Sequence, residues 1–272
     1  MTRVATIARD TADSPNMTSN DAAILERIST LLTERGVEVV QLDGEAELPH
    51  DIDIVCSMSR TASILQQLKS AEMRGVKVLN PTAAVENCSR KDFMSILGEN
   101  DIPQPHYKVI GTADELLDNC FPCWIKKAEG WSNHKEDVSF AQTKEEAATA
   151  MALLASHGIR QAIQMLHCRG DIVKFYGIGD TLFHYSYPIN SKFGHEEVNG
   201  TPQKYSFNAN KLKEIAQRAA KAIGLAIYGG DAIITPQGEI SIIDMNDFPS
   251  FTVIREEAAQ EITELIMNNI KE

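Results

Sequence analysis

The stretch SIIDMNDFPSF, residues 241–251, places two carboxylates and an amide in a segment that otherwise suits a buried strand. Ile242 and Ile243 favour burial, whereas Asp244 and Asn246 are polar and, two residues apart, lie on the same face of a strand. An ionised carboxylate that is buried without a partner costs several kcal/mol. The stretch therefore predicts that other groups stand opposite Asp244 and Asn246.

The preceding apolar segment supplies such a group. AIYGGDAIIT, residues 226–235, is separated from the stretch by a short turn at 236–238, and two strands joined in this way are expected to pair as a hairpin. The pairing brings Asp231 alongside Asp244 and Asn246. Oxygen ligands without His or Cys suit Mg²⁺, which usually shares its shell with waters and substrate phosphates. These three residues are therefore predicted metal ligands; the alternative is that the aspartates cap turns or pair with surface lysines.

Two basic residues outside the hairpin fit phosphate binding. Lys126 lies in FPCWIKKAEG, residues 121–130, near the end of an apolar strand, where a lysine is costly unless its ammonium meets an anion. Lys127 points to the other face, where we expect it to be solvated. Arg90 stands at the head of a predicted helix and offers a second cation, although a basic residue there is more often a surface residue.

The first hundred residues alternate strands and helices. Strands separated by helices of about 15 residues indicate a parallel sheet with right-handed crossovers. No G-x-G-x-x-G motif follows the first strand, so this lobe is Rossmann-like without the dinucleotide phosphate loop. Prolines at 103 and 105 mark a boundary. We therefore predict an N-terminal lobe over 1–104 and a second domain over 105–272, divided into a nucleotide-covering lobe, 105–163, and a metal-binding lobe, 164–272.

Two segments of the second domain carry local predictions. The capping-box spacing of Thr112 and Glu115 predicts a helix over 112–119. The polar segment 189–203 has no helical periodicity and is expected to form a mobile loop.

Composition excludes several classes of protein. The 272 residues carry a net charge of −12 with no basic stripe, which argues against nucleic acid as a partner. No apolar run approaches about 18 residues, so no membrane span is expected, and the start of the chain lacks a secretory apolar region. Five cysteines, an odd number, indicate reduced thiols. We expect a cytoplasmic protein that acts on a small, anionic molecule.

Over nearly its whole length the chain resembles the ATP-grasp superfamily. The similarity rests on the order of its pieces: the Rossmann-like lobe, NCSRKDFMSIL, the strand lysine of FPCWIKK, the strand AIQML, and finally GGDAII and IIDMNDFP. The resemblance implies a mixed α/β (α+β) ATP-grasp fold with an N-terminal Rossmann-like, pre-ATP-grasp lobe, and ATP and Mg²⁺ bound between two antiparallel lobes. It implies phosphate binding by Arg90 and Lys126, an adenine site lined by Gln164, Met165 and Leu166, and a metal site at Asp231, Asp244 and Asn246.

Within the superfamily, the loop after the strand lysine is most similar to that of the inositol trisphosphate 5/6-kinases. Gly130 and His134 lie four residues apart there, in place of the glycine-rich loop of many ATP-grasp ligases, and DMNDFP matches the ending of the kinases. Lys174 matches a lysine on the strand after the hinge. This resemblance implies that His134 and Lys174 lie beside the acceptor, where they orient an anionic substrate and stabilise the transferring phosphoryl group.

Three functions follow from these patterns. The loop favours a kinase that transfers a phosphoryl group from Mg-ATP to a small acidic acceptor such as an inositol phosphate or a polyol, although the chain offers few cations for a heavily phosphorylated one. The alternative is a carboxylate–amine ligase, similar to the glutamate-adding ATP-grasp ligases, in which Lys174 or Arg255 stabilises an oxyanion. A nucleotide-binding sensor is the third. The acceptor is expected to contact residues 14–16, 57–60 and 190–204.

Overall fold

The computed structural model describes residues 2–11, 18–130, 134–188 and 194–271, with the backbone alone at 194–196 and 271. The predicted acceptor contacts at 14–16 and 190–193 lie outside these residues. The described ranges form three successive four-stranded sheets with helices packed on them. None of the helices within these ranges combines the length and apolar character that a membrane crossing requires.

The first sheet is parallel, with the strand order β2-β1-β3-β4. Its elements are β1 (Arg3–Ile7), α1 (Thr18–Glu34), β2 (Glu38–Leu42), β3 (Ile54–Ser57), α2 (Ala62–Met73) and β4 (Lys77–Leu79). One face packs against α1, where Val4 meets Ile28 in one apolar cluster. The other face packs against α2, where Val55 and Ile64 share a second cluster. The prediction of a parallel, helix-covered N-terminal sheet is confirmed.

The second sheet is antiparallel, with the order β5-β8-β6-β7. It consists of β5 (Tyr107–Ile110), β6 (Cys123–Lys127), β7 (Val138–Ala141) and β8 (Ala162–Leu166), and α5 (Lys144–Ser156) covers its outer face. The helix predicted over 112–119 is wrong, because that segment holds one short helical turn, Ala113–Glu115. The side chain of Gln164 bonds to both the amide and the carbonyl of Leu117, so this backbone is committed to a tertiary contact.

The third sheet is also antiparallel, with the order β10-β9-β11-β12. Its elements are β9 (Asp171–Ile178), β10 (Leu182–Ser186), α6 (Gly194–Asn199), α7 (Ala209–Ile223), β11 (Ile227–Ile234), β12 (Ile240–Asn246) and α8 (Arg255–Lys271). α7 buries an apolar stripe against the sheet, and α8 returns to pack beside α1. The short helix α6 shows that the prediction of a loop over 189–203 is wrong at 194–199, and the part of that segment at 189–193 lies outside the described residues.

Two helices connect the first sheet to the second, α3 (Thr82–Glu86) and α4 (Arg90–Glu99). α4 buries Phe93, Met94 and Leu97 in the same apolar cluster as α7. It therefore packs with the C-terminal part of the chain, although its residues precede 104. The boundary at 104 and the division at 163 remain predictions.

Candidate functional site

Three neighbouring strands of the third sheet align charged residues in one row. Lys174 on β9 pairs in register with Asp231 on β11, and Asp231 pairs on its other side with Asp244 on β12. The Nζ atom of Lys174 lies 3.1 Å from Oδ1 and 3.3 Å from Oδ2 of Asp231. We call Lys174, Asp231 and Asp244 the charged row. The predicted pairing of the two aspartates is confirmed, and Lys174 joins them.

Glycine in β11 allows the row to form. A Cβ atom at Gly230 would lie 2.3 Å from the carbonyl oxygen of Asp244 and 2.5 Å from the ring of Phe175, so the strands approach here as only glycine permits. Asn246, two residues beyond Asp244, pairs with Gly229 and so lies on the same face of β12 as Asp244. The three predicted metal ligands therefore share one face of the sheet.

Lys126, on β6 of the second sheet, interacts electrostatically with the two aspartates of this row. Its side chain is buried, with 3% exposure. Burial lowers the pKa of Lys126 to about 7, and the charge of Arg90 contributes to this decrease. Asp244 and Asp231 raise the pKa and so oppose it. The two carboxylates thus compensate the buried ammonium in part, and an anion bound beside Lys126 would complete its compensation.

Arg90 occupies the first position of α4. Its Nη1 donates a hydrogen bond of 3.1 Å to the carbonyl oxygen of Lys127, which ties the head of the helix to the end of β6. Burial lowers the pKa of Arg90, whereas Asp244 and the buried Asp137 raise it. The two predicted phosphate-binding cations and the charged row therefore lie within electrostatic reach of one another.

The charges around Asp244 indicate whether a metal ion suits this group of residues. Burial raises the pKa of its carboxyl, and Asp231 raises it further, although the charges of Arg90, Lys126 and Lys174 act in the opposite direction. A divalent cation would relieve the repulsion between the two aspartates. Within the described ranges no three His, Cys, Asp or Glu side chains group to hold a metal by themselves. Two carboxylates and an amide suit Mg²⁺, which completes its shell with water or phosphate oxygens.

The residues predicted to line the adenine site lie on β8, and they divide between its two faces. Gln164 is fully buried on the outer face, where its amide bonds to the backbone of Leu117 at 2.8 and 3.1 Å. Leu166 shares that face, whereas Met165 packs in the inner cluster with Trp124. Because side chains alternate along a strand, Met165 shares the face of Lys126, and Gln164 and Leu166 can reach a nucleotide there through backbone atoms alone.

Two predicted catalytic residues have their described hydrogen bonds outside the charged row. His134 is exposed at the start of the turn Lys135–Asp137, and its hydrogen bonds stay within that turn. Arg255 opens α8, and its Nη2 donates a hydrogen bond of 2.7 Å to Oδ1 of Asn20 on α1. Neither forms a hydrogen bond or ion pair with the row in the parts of the chain that the structure describes. Their catalytic roles remain predictions.

Three polar side chains that the sequence pattern did not connect converge just beyond β12. Arg60 donates to the carboxylate of Asp247, Asn80 to its carbonyl, and Arg9 to the carbonyl of Phe248. Burial alone would raise the pKa of Asp247, but the charges of Arg60 and Arg9 and the hydrogen bond from Arg60 hold it below its usual value. A signal was present, because all three donors follow the carboxyl ends of parallel strands, where side chains of an α/β sheet converge.

Solved structures of other proteins share this architecture. The ATP-grasp ligase PsnB, complexed with a minimal precursor, Mg and ADP, matches with a TM-score of 0.68 and 14% identity over 99% of this chain and 98% of its own. The D-alanine–D-alanine ligase from Bacillus anthracis matches with a TM-score of 0.73 and 13% identity over 100% and 98%. The VanG D-Ala:D-Ser ligase from Enterococcus faecalis matches with a TM-score of 0.73 and 14% identity over 98% and 99%. No protein-family model matches the sequence, and the search of curated proteins found no match.

These matches extend over nearly the whole of both chains. The protein therefore has the ATP-grasp fold with an N-terminal parallel-sheet lobe, and the predicted fold class is confirmed. At such low identities the likeness establishes the fold, and the function has to be argued from the site.

Proposed function

We propose that the protein is an ATP-dependent ligase that joins a carboxylate to an amine through an acylphosphate, with Mg²⁺ as its metal. The observation that carries this proposal is the charged row, with Lys126 acting on it from the second sheet. It brings cations suited to phosphate within electrostatic reach of oxygen ligands suited to a metal, as phosphoryl transfer requires. The fold is also that of PsnB and of the D-alanine–D-alanine and VanG ligases, which supports the ligase over the kinase.

Lys126 and Arg90 bind the polyphosphate in this proposal. Burial lowers the pKa of both side chains. Because folding has already removed most of the water around these cations, binding an anion costs them little further desolvation. A bound phosphate restores the charged form of Lys126, and the fork of Arg90 suits bidentate contact with phosphate oxygens.

The metal belongs to Asp231, Asp244 and Asn246. When bound, Mg²⁺ neutralises phosphate charge and orients the oxygens for in-line transfer. Lys174, in the adjacent strand, stabilises the negative charge that develops on the acyl and phosphoryl oxygens. The same lysine favours a small acidic acceptor, since the acid that is phosphorylated must lie against a positive charge.

A small-molecule kinase is the second candidate, because the spacing of Gly130 and His134 and the DMNDFP ending match the inositol trisphosphate 5/6-kinases. The ligase is placed first because His134 is exposed and, among the residues that the structure describes, forms hydrogen bonds only in its own turn. His134→Ala separates the two proposals. The ligase predicts activity close to that of the wild type, whereas a loss of about 100-fold in kcat, typical of losing a group that stabilises transition-state charge, would favour the kinase.

The decisive experiment measures ADP release from Mg-ATP with pools of carboxylic acids plus amines and, separately, with pools of alcohols and phosphorylated polyols. For the ligase, release requires an acid, and hydroxylamine in place of the amine traps the acylphosphate as a hydroxamate. Asp244→Asn is the inactive control. ADP release with an alcohol and no hydroxamate with any acid would overturn the ligase in favour of the kinase. Nucleotide binding without ADP release in any pool would favour the sensor.

A further inference from the structure

Side chains of the N-terminal lobe hold the chain where it leaves β12. Arg60, which follows β3, donates to the carboxylate of Asp247. Asn80, which follows β4, donates to the carbonyl of Asp247. Arg9, which follows β1, donates to the carbonyl of Phe248. We call Arg9, Arg60, Asn80 and Asp247 the exit clamp; it begins one residue after the predicted metal ligand at the end of β12.

Asn80 extends the exit clamp to the neighbouring strand. Its Oδ1 accepts hydrogen bonds of 2.8 Å from the amides of Ala226 and Ile227, and its Nδ2 donates one of 2.7 Å to the carbonyl of Ile227. Ile227 begins β11, the strand that carries Asp231. One side chain of the N-terminal lobe therefore holds the start of β11 and the end of β12 together.

The ion pair in the exit clamp is almost fully desolvated. The side chains of Arg60 and Asp247 are 8% and 1% exposed. Replacing such a pair with apolar groups is often neutral or stabilising, so a buried pair is a weak way to stabilise a fold. Its directional hydrogen bond instead restricts the position of the residues that it joins. Because Asp247 is joined to Asn246 by a peptide bond, restricting Asp247 also restricts Asn246.

We propose that Arg60 and Asp247 are positioning residues that hold the amide of Asn246 where it binds Mg²⁺ together with the two aspartates of the charged row. The inference rests on the proposed function, which assigns the metal to these residues. Arg60 and Asp247 act through Asn246. The metal affinity of the third sheet is then controlled in part by a residue that follows a strand of the first sheet, which supplies none of the three predicted ligands.

Binding of Mn²⁺ to the ADP complex, followed by electron paramagnetic resonance, tests this without knowledge of the acceptor. Asp247→Asn should weaken Mn²⁺ binding by about 10-fold or more, as loss of a partner behind a metal ligand does. Its affinity for ADP without metal should stay that of the wild type. The double variant Arg60→Met/Asp247→Leu replaces the pair with apolar groups, avoids an unpaired buried charge, and should show the same loss. Wild-type Mn²⁺ affinity in either folded variant overturns the proposal.

Glu38→Gln is the control, because it removes a solvent-exposed ion pair of the first sheet, between Arg3 and Glu38 at 2.8 Å. It should leave Mn²⁺ and ADP binding unchanged. A loss as large as that of Asp247→Asn would reveal general loosening of the lobe and overturn the positioning role. If the wild type binds Mn²⁺ with ADP but no acid–amine pair releases ADP, the ligase fails and the positioning result stands. If the wild type does not bind Mn²⁺, the metal assignment under both proposals fails.

Discussion

Replacing Lys126 with methionine is expected to stabilise the protein and to weaken its binding of nucleotide. The lysine is 3% exposed, and its pKa is lowered from 10.5 to about 7, chiefly by burial. Between those values the unfolded chain holds the proton more often than the folded chain, so stability rises as the pH rises through this window. The shift corresponds to a cost of about 4 kcal/mol at pH 7 and about 2 kcal/mol at pH 9.

Urea unfolding of the wild type and of Lys126→Met at pH 7 and pH 9 measures this cost. Methionine carries no proton, so the variant's gain in stability should be about 2 kcal/mol larger at pH 7 than at pH 9. Lys69→Met, at an exposed lysine paired with Glu86 on the N-terminal lobe, controls for the loss of one positive charge from an acidic chain. A gain that is independent of pH, or that grows with pH, would refute burial as the source of the cost.

Nucleotide binding is the second readout for Lys126→Met. Loss of a charge-assisted hydrogen bond to phosphate should weaken Mg-ADP binding by about 10-fold or more, measured by calorimetry at a temperature where both proteins are folded. Unchanged affinity in the folded variant would show that Lys126 does not meet the phosphates.

Three further substitutions test the site and the strands that carry it. Asp244→Asn should abolish Mg²⁺-dependent turnover without lowering the melting temperature, because it removes a metal ligand together with a carboxylate whose pKa is raised by burial; turnover in this variant would contradict the metal site. Gln164→Leu removes the hydrogen bonds of Gln164 to the amide and carbonyl of Leu117 and to the carbonyl of Cys120, and should cost about 2 kcal/mol in urea unfolding. ADP affinity should stay unchanged in this variant. A weaker affinity for ADP would show that the Gln164 side chain contacts the adenine after all. Gly230→Ala should disrupt the charged row and Mn²⁺ binding, because its Cβ would lie 2.3 Å from the Asp244 carbonyl oxygen. Gly36→Ala, where φ is +81° and nothing lies within 4 Å, should cost about 1 kcal/mol and leave Mn²⁺ binding intact.

The charged row could be predicted because a hairpin obeys local rules. A short turn and the two-residue alternation of side chains place Asp231 against Asp244, and the pairing holds although a bulge follows Asp231. The phosphate-binding role of Lys126 could be proposed for a similar reason. A lysine in an apolar strand needs an anionic partner, and this need does not depend on where the strand lies in the fold. Both arguments use residues that are neighbours in sequence or that carry a local energetic conflict.

The orientation of Gln164 could not be predicted in this way. Alternation shows that Gln164 and Met165 point to opposite faces, but not which of the two faces is covered by a helix. That depends on α5, which covers one side of the second sheet, and on Leu117, which supplies the backbone groups that Gln164 bonds. The same contact explains why the helix predicted over 112–119 is absent.

The sequence by itself determined the alternation of strands and helices in the first sheet, the pairing of the acidic strands and the identity of the charged residues, because these follow from patterns within a few tens of residues. The tertiary structure decided which of those residues act on one another. Lys174 reaches Asp231, and Arg60 reaches Asp247, across 57 and 187 positions of the chain. Contacts so distant in sequence depend on how whole sheets pack against one another. That packing is driven by the burial of the apolar surfaces of all the sheets and helices together.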